Sequence, residues 1–205
     1  MNNWFLIGGL VSAGLYFLSS PKQQSKPIIV LCDGNSLTAG TIPGQPPFYW
    51  YPKELARLLG KQYKVDVSAI VGISTPAMIK NFKGKFDIVV FWEGTNHLMS
   101  ASAETVYNTI VQYCQTVHML GSRVVVVTIL PFNSSQEINE KRLAVNKLTQ
   151  QNWESFADSI ADVTISVLTD PSNPQYYHTD KLHLNEAGSK IVAKAIAEAI
   201  TSMKD

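Results

Sequence analysis

Charge of one sign, cysteine and long apolar runs are all scarce in this chain, and each shortage excludes something. Lys and Arg number 17 against 16 Asp and Glu, for a net charge of +1, and no basic run breaks the balance. Nucleic acid is therefore not an expected partner, because neutralising phosphates needs clustered Lys and Arg. Only Cys32 and Cys114 represent cysteine, and no cluster of His, Asp and Cys has metal-ligand spacing, so no metal is implied; no cofactor is expected either. Cys32 falls in a predicted strand and Cys114 in a predicted helix. Two buried free thiols are the simpler reading, with a disulfide as the alternative. The chain has no internal repeat and no low-complexity tract.

No apolar run reaches the roughly 20 residues that span a bilayer comfortably. The uncharged stretch Trp4–Leu18 comes nearest, followed by Ser19-Ser20-Pro21-Lys22 and a polar linker to Lys26. It has the length of a signal-peptide apolar region, yet no Lys or Arg precedes it and the cleavage pattern is weak. Lys22 and Lys26 on its far side favour a cytoplasmic catalytic domain by the positive-inside bias. Residues 1–20 are read as a membrane anchor or export signal, 21–26 as a linker and 27–205 as the catalytic domain. A packed soluble helix is the alternative for the first segment. Membrane association is thus expected, with the side of the membrane open.

What the chain does have is a globular composition: 45% apolar and 16% charged residues in 205, enough for one domain with a full core. From Pro27 on, strand-like and helix-like segments alternate. Strands are predicted at Ile28–Asp33, Tyr63–Ala69, Phe86–Trp92, Arg123–Ile129 and, more weakly, Asp162–Val167. Helices are predicted at Tyr51–Gly60, Ala103–Leu120, Glu137–Phe156 and Asn185–Met203, with Asn185 as the cap. Such alternation makes βαβ units. The expected fold is α/β: a three-layer α/β/α sandwich on a five-stranded parallel sheet, of flavodoxin-like type. Ligands of such sheets bind beyond the carboxyl ends of the strands.

The loops at those ends carry chemistry. Val30 to Gly40 reads Val-Leu-Cys-Asp-Gly-Asn-Ser-Leu-Thr-Ala-Gly, a strand emptying into a Gly-Asn turn with Ser36 directly after it. A serine hydroxyl is a poor nucleophile without a base. The far end of the chain supplies one in Asp180-Lys181-Leu182-His183, where a spacing of three puts acid and imidazole on one side of a turn. A carboxylate on one ring nitrogen leaves the other free to take the serine proton.

These segments resemble the SGNH hydrolases, or GDSL esterase/lipase family. Its four blocks appear in order as Gly34-Asn35-Ser36-Leu37, Gly72, Gly94-Thr95-Asn96 and Asp180-Lys181-Leu182-His183, and the resemblance covers residues 27–203. It implies Ser36 as nucleophile, His183 as general base and then acid, and Asp180 as the group orienting it. It also implies an oxyanion hole from the Ser36 and Gly72 backbone N–H groups and the Asn96 side chain. Two positions depart from the family pattern. Asn35 and His97 stand where Asp is common, which alters the hydrogen-bond support without deleting a reacting group.

The same residues admit plainer readings. Ser36 could cap a helix or turn. His178 is a rival base that lacks a carboxylate three residues before it, and His118 is read as a surface histidine. Trp92 and Glu93 either pack at a strand end or line the pocket, and Phe48-Tyr49-Trp50-Tyr51 either walls the cleft or packs at a helix start. Asn133-Ser134-Ser135 fits a glycosylation acceptor, a pattern common by chance.

A serine ester hydrolase is the expected function. The substrate is expected to be a small-molecule or glycan ester, with O-acetyl and other short-acyl esters of carbohydrates favoured over long-chain lipids. Lysophospholipase or thioesterase activity is the nearest alternative. From another class, a flavodoxin-like protein could cradle a phosphate or flavin in the loop Asn35 to Thr41, although such a cradle has no need of the Asp180–His183 pair. A silent SGNH domain that binds glycans is a third alternative, against which the intact triad argues.

Overall fold

A computed structural model describes residues 26–41, 47, 48 and 50–203 of the chain. The expected sandwich is what it shows. Strands β1 (Ile28–Gly34), β2 (Tyr63–Ala69), β3 (Ile88–Trp92), β4 (Arg123–Val127) and β5 (Ser159–Ala161) pair in parallel in the order β2-β1-β3-β4-β5. The order reverses at β1, so a crevice opens beyond the ends of β1 and β3, where sheets of this kind place their ligands.

Alternation along the strands builds two cores. Val30, Cys32, Val90, Trp92, Val125 and Val127 face helices α2 (Trp50–Leu59) and α7 (Glu186–Ser202). Leu31, Val89, Phe91, Val124 and Val126 face α3 (Thr75–Asn81), α5 (Ala103–Met119) and α6 (Gln136–Asn152). Both faces of the central strands are covered, which is why they read as unbroken apolar runs. Two short helices, α1 (Ser36–Ala39) and α4 (Thr95–Leu98), follow β1 and β3 directly. Cys32 and Cys114 lie buried on opposite faces of the sheet as free thiols. Burial pushes the Cys32 thiol up to about 12.

The caps fall where local chemistry puts them. Asn185 accepts from Gly188 N–H at the start of α7, and Ser102 and Ser135 cap α5 and α6. Three expectations need correction. The last strand is Ser159–Ala161, paired with Val125–Val127, and not Asp162–Val167. Asp162 instead accepts from Thr164 N–H, Thr128 Oγ1 and Gln150 Nε2, which turns the chain into two short 3₁₀ segments, Val163–Ile165 and Val167–Thr169. Helix α6 ends at Asn152 rather than Phe156, because residues Trp153–Ser155 tighten into a 3₁₀ turn. Helix α3, opened by Pro76 in its first turn, stands where only a loop after Gly72 was expected.

Asp33 is a buried charge-bearing group in this core, 5% exposed. Burial raises its carboxyl above the ordinary range, partly offset by the Tyr113 and Ser68 hydroxyls and Gly34 N–H. An acid whose folded-state pKa is raised binds its proton more tightly when folded, so it costs stability as pH rises from the ordinary carboxyl range to that raised value. Asp33→Asn keeps an oxygen for the Tyr113 hydroxyl and carries no charge. It is expected to raise Tm at neutral pH, with the gain shrinking toward nothing below the ordinary carboxyl range; thermal melts from pH 3 to 8 would show it. A constant difference across that range would remove the charge as the cause.

Candidate active site

Register brings the chemistry-bearing loops together. Gly34 pairs with Ala69 on one side and with Trp92 on the other, so the segments after β1, β2 and β3 emerge side by side. Gly34 is needed for the close approach: a Cβ there would stand 2.7 Å from the Trp92 carbonyl oxygen. Asn35 then caps α1, its Oδ1 accepting from Leu37 N–H at 2.8 Å. An Asp would accept in the same way, so the departure at Asn35 keeps the turn. Ser36 is the first residue of α1, and its N–H has no partner within the helix. Its hydroxyl is not the cap, which disposes of the plainer reading.

Ser36 and His183 lie 147 positions apart in sequence, yet His183 Nε2 sits 2.9 Å from Ser36 Oγ. The other ring nitrogen, Nδ1, sits 2.7 Å from Asp180 Oδ2. The Asp180–His183 segment is a tight reversal with Lys181 in the left-handed region at φ 55°. Asp180 Oδ1 accepts from the N–H groups of Leu182 and His183, each at 3.0 Å. Burial works against the Asp180 charge, but the His183 ring and those two N–H groups outweigh it and hold the carboxyl below the ordinary range.

Gly72 and Asn96 are joined through one carbonyl. Ile70 to Ile73 form a tight turn, with Ile73 N–H donating to the Ile70 oxygen and Gly72 at φ 75°, the left-handed position such a turn gives to glycine. Asn96 Nδ2 donates to the Ile73 oxygen at 2.9 Å, which spends one of its two hydrogens. Among the described residues the Gly72 N–H has no acceptor.

Beneath this pair lies Glu93, 1% exposed. It accepts from the Thr75 hydroxyl at the start of α3 and from Asn96 N–H at 2.9 Å, tying the Gly72 turn to the Asn96 loop. Sequence reasoning left Glu93 between packing and pocket lining; it does neither alone. A charged residue closing an apolar strand just before a Gly-Thr-Asn turn was the available signal. His97 is buried beside it, and burial lowers its pKa.

The remaining aromatic and histidine candidates separate clearly. Trp92 packs in the core and donates from Nε1 to the Thr128 oxygen. Tyr51 is 1% exposed and packs edge-on to Trp92, so it does not wall the cleft. Tyr49 lies outside the described residues. Phe48, Trp50 and His178 form a stacked series, at 4.9 and 5.8 Å between ring centroids. His178 meets the site through its backbone, its N–H donating to the His183 oxygen. His118 sits near the end of α5 against Asp158. Thr38, which a phosphate cradle would turn toward its ligand, is buried and meets the Tyr51 hydroxyl at 3.2 Å. Among the described residues no group of three or more His, Cys, Asp or Glu side chains is placed to hold a metal ion.

A sequence profile of the GDSL-like lipase/acylhydrolase family matches residues 32–191, most of the chain. The chain belongs to that family. Solved structures share its fold at low identity. A member of the lipolytic G-D-S-L family from Veillonella parvula superposes with a TM-score of 0.69 at 17% identity, over 85% of this chain and 99% of that one. A family 3 carbohydrate esterase from Clostridium thermocellum gives 0.68 at 17%, over 86% and 96%. An aryl esterase from M. smegmatis gives 0.60 at 18%, over 86% and 100%. No curated protein matches it in sequence. As a GDSL-like acylhydrolase the protein is a carboxylic ester hydrolase.

Proposed function

We propose that Ser36, His183 and Asp180 are the catalytic triad of this hydrolase and that it works through an acyl-enzyme on Ser36. One observation carries the reading: the unbroken line from Ser36 Oγ to His183 Nε2 and from Nδ1 to Asp180 Oδ2, at 2.9 and 2.7 Å. With Nδ1–H donated to Asp180, Nε2 takes the serine proton as Oγ attacks the ester carbonyl carbon. The C=O π bond opens and its electron pair moves onto the oxygen. The Ser36 and Gly72 N–H groups and the second Asn96 hydrogen face that oxyanion. Collapse of the adduct expels the alcohol, which receives the proton from His183. Water then repeats the sequence on the acyl-enzyme and releases the acid.

The substrate we propose is a short-acyl ester, foremost an O-acetyl group on carbohydrate. The likeness in fold to a carbohydrate esterase is consistent with it, as is the stacked Phe48–Trp50–His178 series beside the His183 segment, because aromatic faces receive sugar rings well. Membrane association through Trp4–Leu18 belongs to the same proposal. That stretch lies outside the described residues, and no helix among them is long and apolar enough to cross a membrane.

A phosphonofluoridate probe tests the triad: it should label the protein at Ser36 and leave Ser36→Ala untouched. Labelling elsewhere, with Ser36 unmodified, would reject the nucleophile. Hydrolysis of p-nitrophenyl esters of rising chain length, set against acetylated glycans, tests the substrate class. Asn96→Ala should lower kcat by roughly 10²–10³ with a smaller change in KM, because its donor matters most once the oxyanion has formed. An effect confined to KM would place Asn96 in ground-state binding instead.

A further inference from the structure

The two ends of the sheet differ in charge. At the site end the three 17-residue helices α5, α6 and α7 each open with an acid, Glu104, Glu137 and Glu186. At the opposite end, where strands begin and helices finish, Lys26, Lys61, Lys83 and Lys85 are exposed and Arg123 is half-buried. Among the described residues the acids near that end are Asp87, Glu154, Asp158 and, one turn before the end of α7, Glu198, which Lys194 meets at 3.8 Å. Asp87 already accepts from Ile29 N–H, and Asp158 from Val124 N–H while it meets His118 Nε2. Helix dipoles favour acids at helix starts. They also favour cations at helix ends, which covers Lys61 and Lys83 just past α2 and α3, but not Lys26 and Lys85, which lead into β1 and β3, nor the apolar side chains beside them. Met119 is 79% exposed and Leu120 44%.

Contacts make this one surface. Lys26 and Lys85 line a single depression of about 360 Å³ together with Asp87. The Lys85 side chain then runs over Gly121, its Nζ 3.5 Å from where a Cβ would stand, next to Leu120. Ile28 N–H donates to the Gln62 oxygen, which brings Lys61 beside the point where the chain enters the sheet.

We propose that this N-terminal edge of the sheet is a docking surface for an anionic lipid bilayer, with the active site held at the far end and opening away from it. Lysines around protruding Met119 and Leu120 match what a negatively charged headgroup layer attracts and what its boundary buries. The chain enters the domain on this same surface at Lys26, and the uncharged stretch Trp4–Leu18 precedes it by a short linker. Strand β1 has seven residues, so Ser36 lies roughly 20 Å above this edge. Esters carried by soluble molecules or by polymers beyond the bilayer reach Ser36 directly, whereas acyl chains in the bilayer below do not. The inference rests on the membrane reading of the N-terminal stretch and is independent of the ester chemistry.

The test uses the full chain in vesicles of phosphatidylglycerol and phosphatidylcholine containing a headgroup spin-labelled lipid. One thiol-reactive fluorophore is placed by Met119→Cys, or by Ile165→Cys at the site end, where Ile165 is 83% exposed. The buried Cys32 and Cys114 stay unlabelled. The label at 119 should be strongly quenched and the label at 165 spared. Lys26→Ala and Lys85→Ala should each lower the ratio of docked to undocked domain roughly fivefold, with hydrolysis of a soluble ester unchanged. Phosphatidylcholine alone should relieve the quenching at 119. Equal quenching at both positions, stronger quenching at 165, no dependence on phosphatidylglycerol, or a full chain that stays out of the vesicles would overturn the proposal. Fluorescence is read without turnover, so failure of the esterase reading leaves the result interpretable.

Discussion

Ser36→Ala and His183→Ala should each remove nearly all ester turnover, a fall of roughly 10⁴–10⁶ in kcat, and the double variant should be scarcely slower than either alone. The 2.9 Å contact between Oγ and Nε2 makes one functional unit of two residues. Without the imidazole the hydroxyl keeps its proton; without the hydroxyl the imidazole has no nucleophile to activate. The residual rate belongs to the oxyanion donors and to binding, which both variants retain. Folding should be little disturbed. Ser36 is not the cap of α1, a task carried by Asn35, and the His183 segment keeps its backbone bonds to His178 and Asp180. Single-turnover kinetics with a chromogenic ester, alongside thermal melts, would check both points. Full hydrolysis by a well-folded Ser36→Ala protein would sink the proposed mechanism, and so would losses that multiply in the double variant.

The groups proposed to react stood out in the sequence because their positions are set by local rules. A serine after an apolar strand and a Gly-Asn turn, and an acid three residues before a histidine, are patterns that a single turn enforces. The three central strands were legible for the same reason: Ile88–Trp92 and Arg123–Val127, for instance, are buried on both faces and read as unbroken apolar runs. The fifth strand was misplaced because Ser159–Ala161 is only three residues long and carries little pattern. Asp162, just after it, takes its hydrogen bonds from positions 128, 150 and 164, partners mostly remote in sequence. Glu93 was ambiguous for the same cause. Its value lies in joining Thr75 to Asn96, a link that exists only once β2 and β3 flank β1. Charge polarity was invisible for another reason, since a net charge of +1 averages two opposite ends.

Asp180→Asn should lower kcat by roughly 10⁴ while leaving the fold in place. The substitution keeps Oδ1, so the N–H groups of Leu182 and His183 still have their acceptor and the reversal through Lys181 persists. What changes is the group that meets His183 Nδ1 at 2.7 Å. A carboxylate accepts there and fixes the proton on Nδ1. An amide NH₂ donates there instead and turns Nδ1 into an acceptor. The ring proton then moves to Nε2, the nitrogen facing Ser36 Oγ, and that nitrogen can no longer take the serine proton. The wild-type carboxyl is held below the ordinary range, burial opposing its charge and the His183 ring and two N–H groups more than compensating. For an acid with a depressed pKa the sign is fixed: its contribution to stability is present above the ordinary carboxyl range and is lost as pH falls through the lowered value. Wild type should therefore melt above Asp180→Asn at neutral pH and converge with it in strong acid, whereas the rate deficit persists at every pH where the enzyme turns over. A folded Asp180→Asn protein with a near wild-type rate would show that His183 needs no carboxylate to hold its tautomer, and the proposed role of Asp180 would fall.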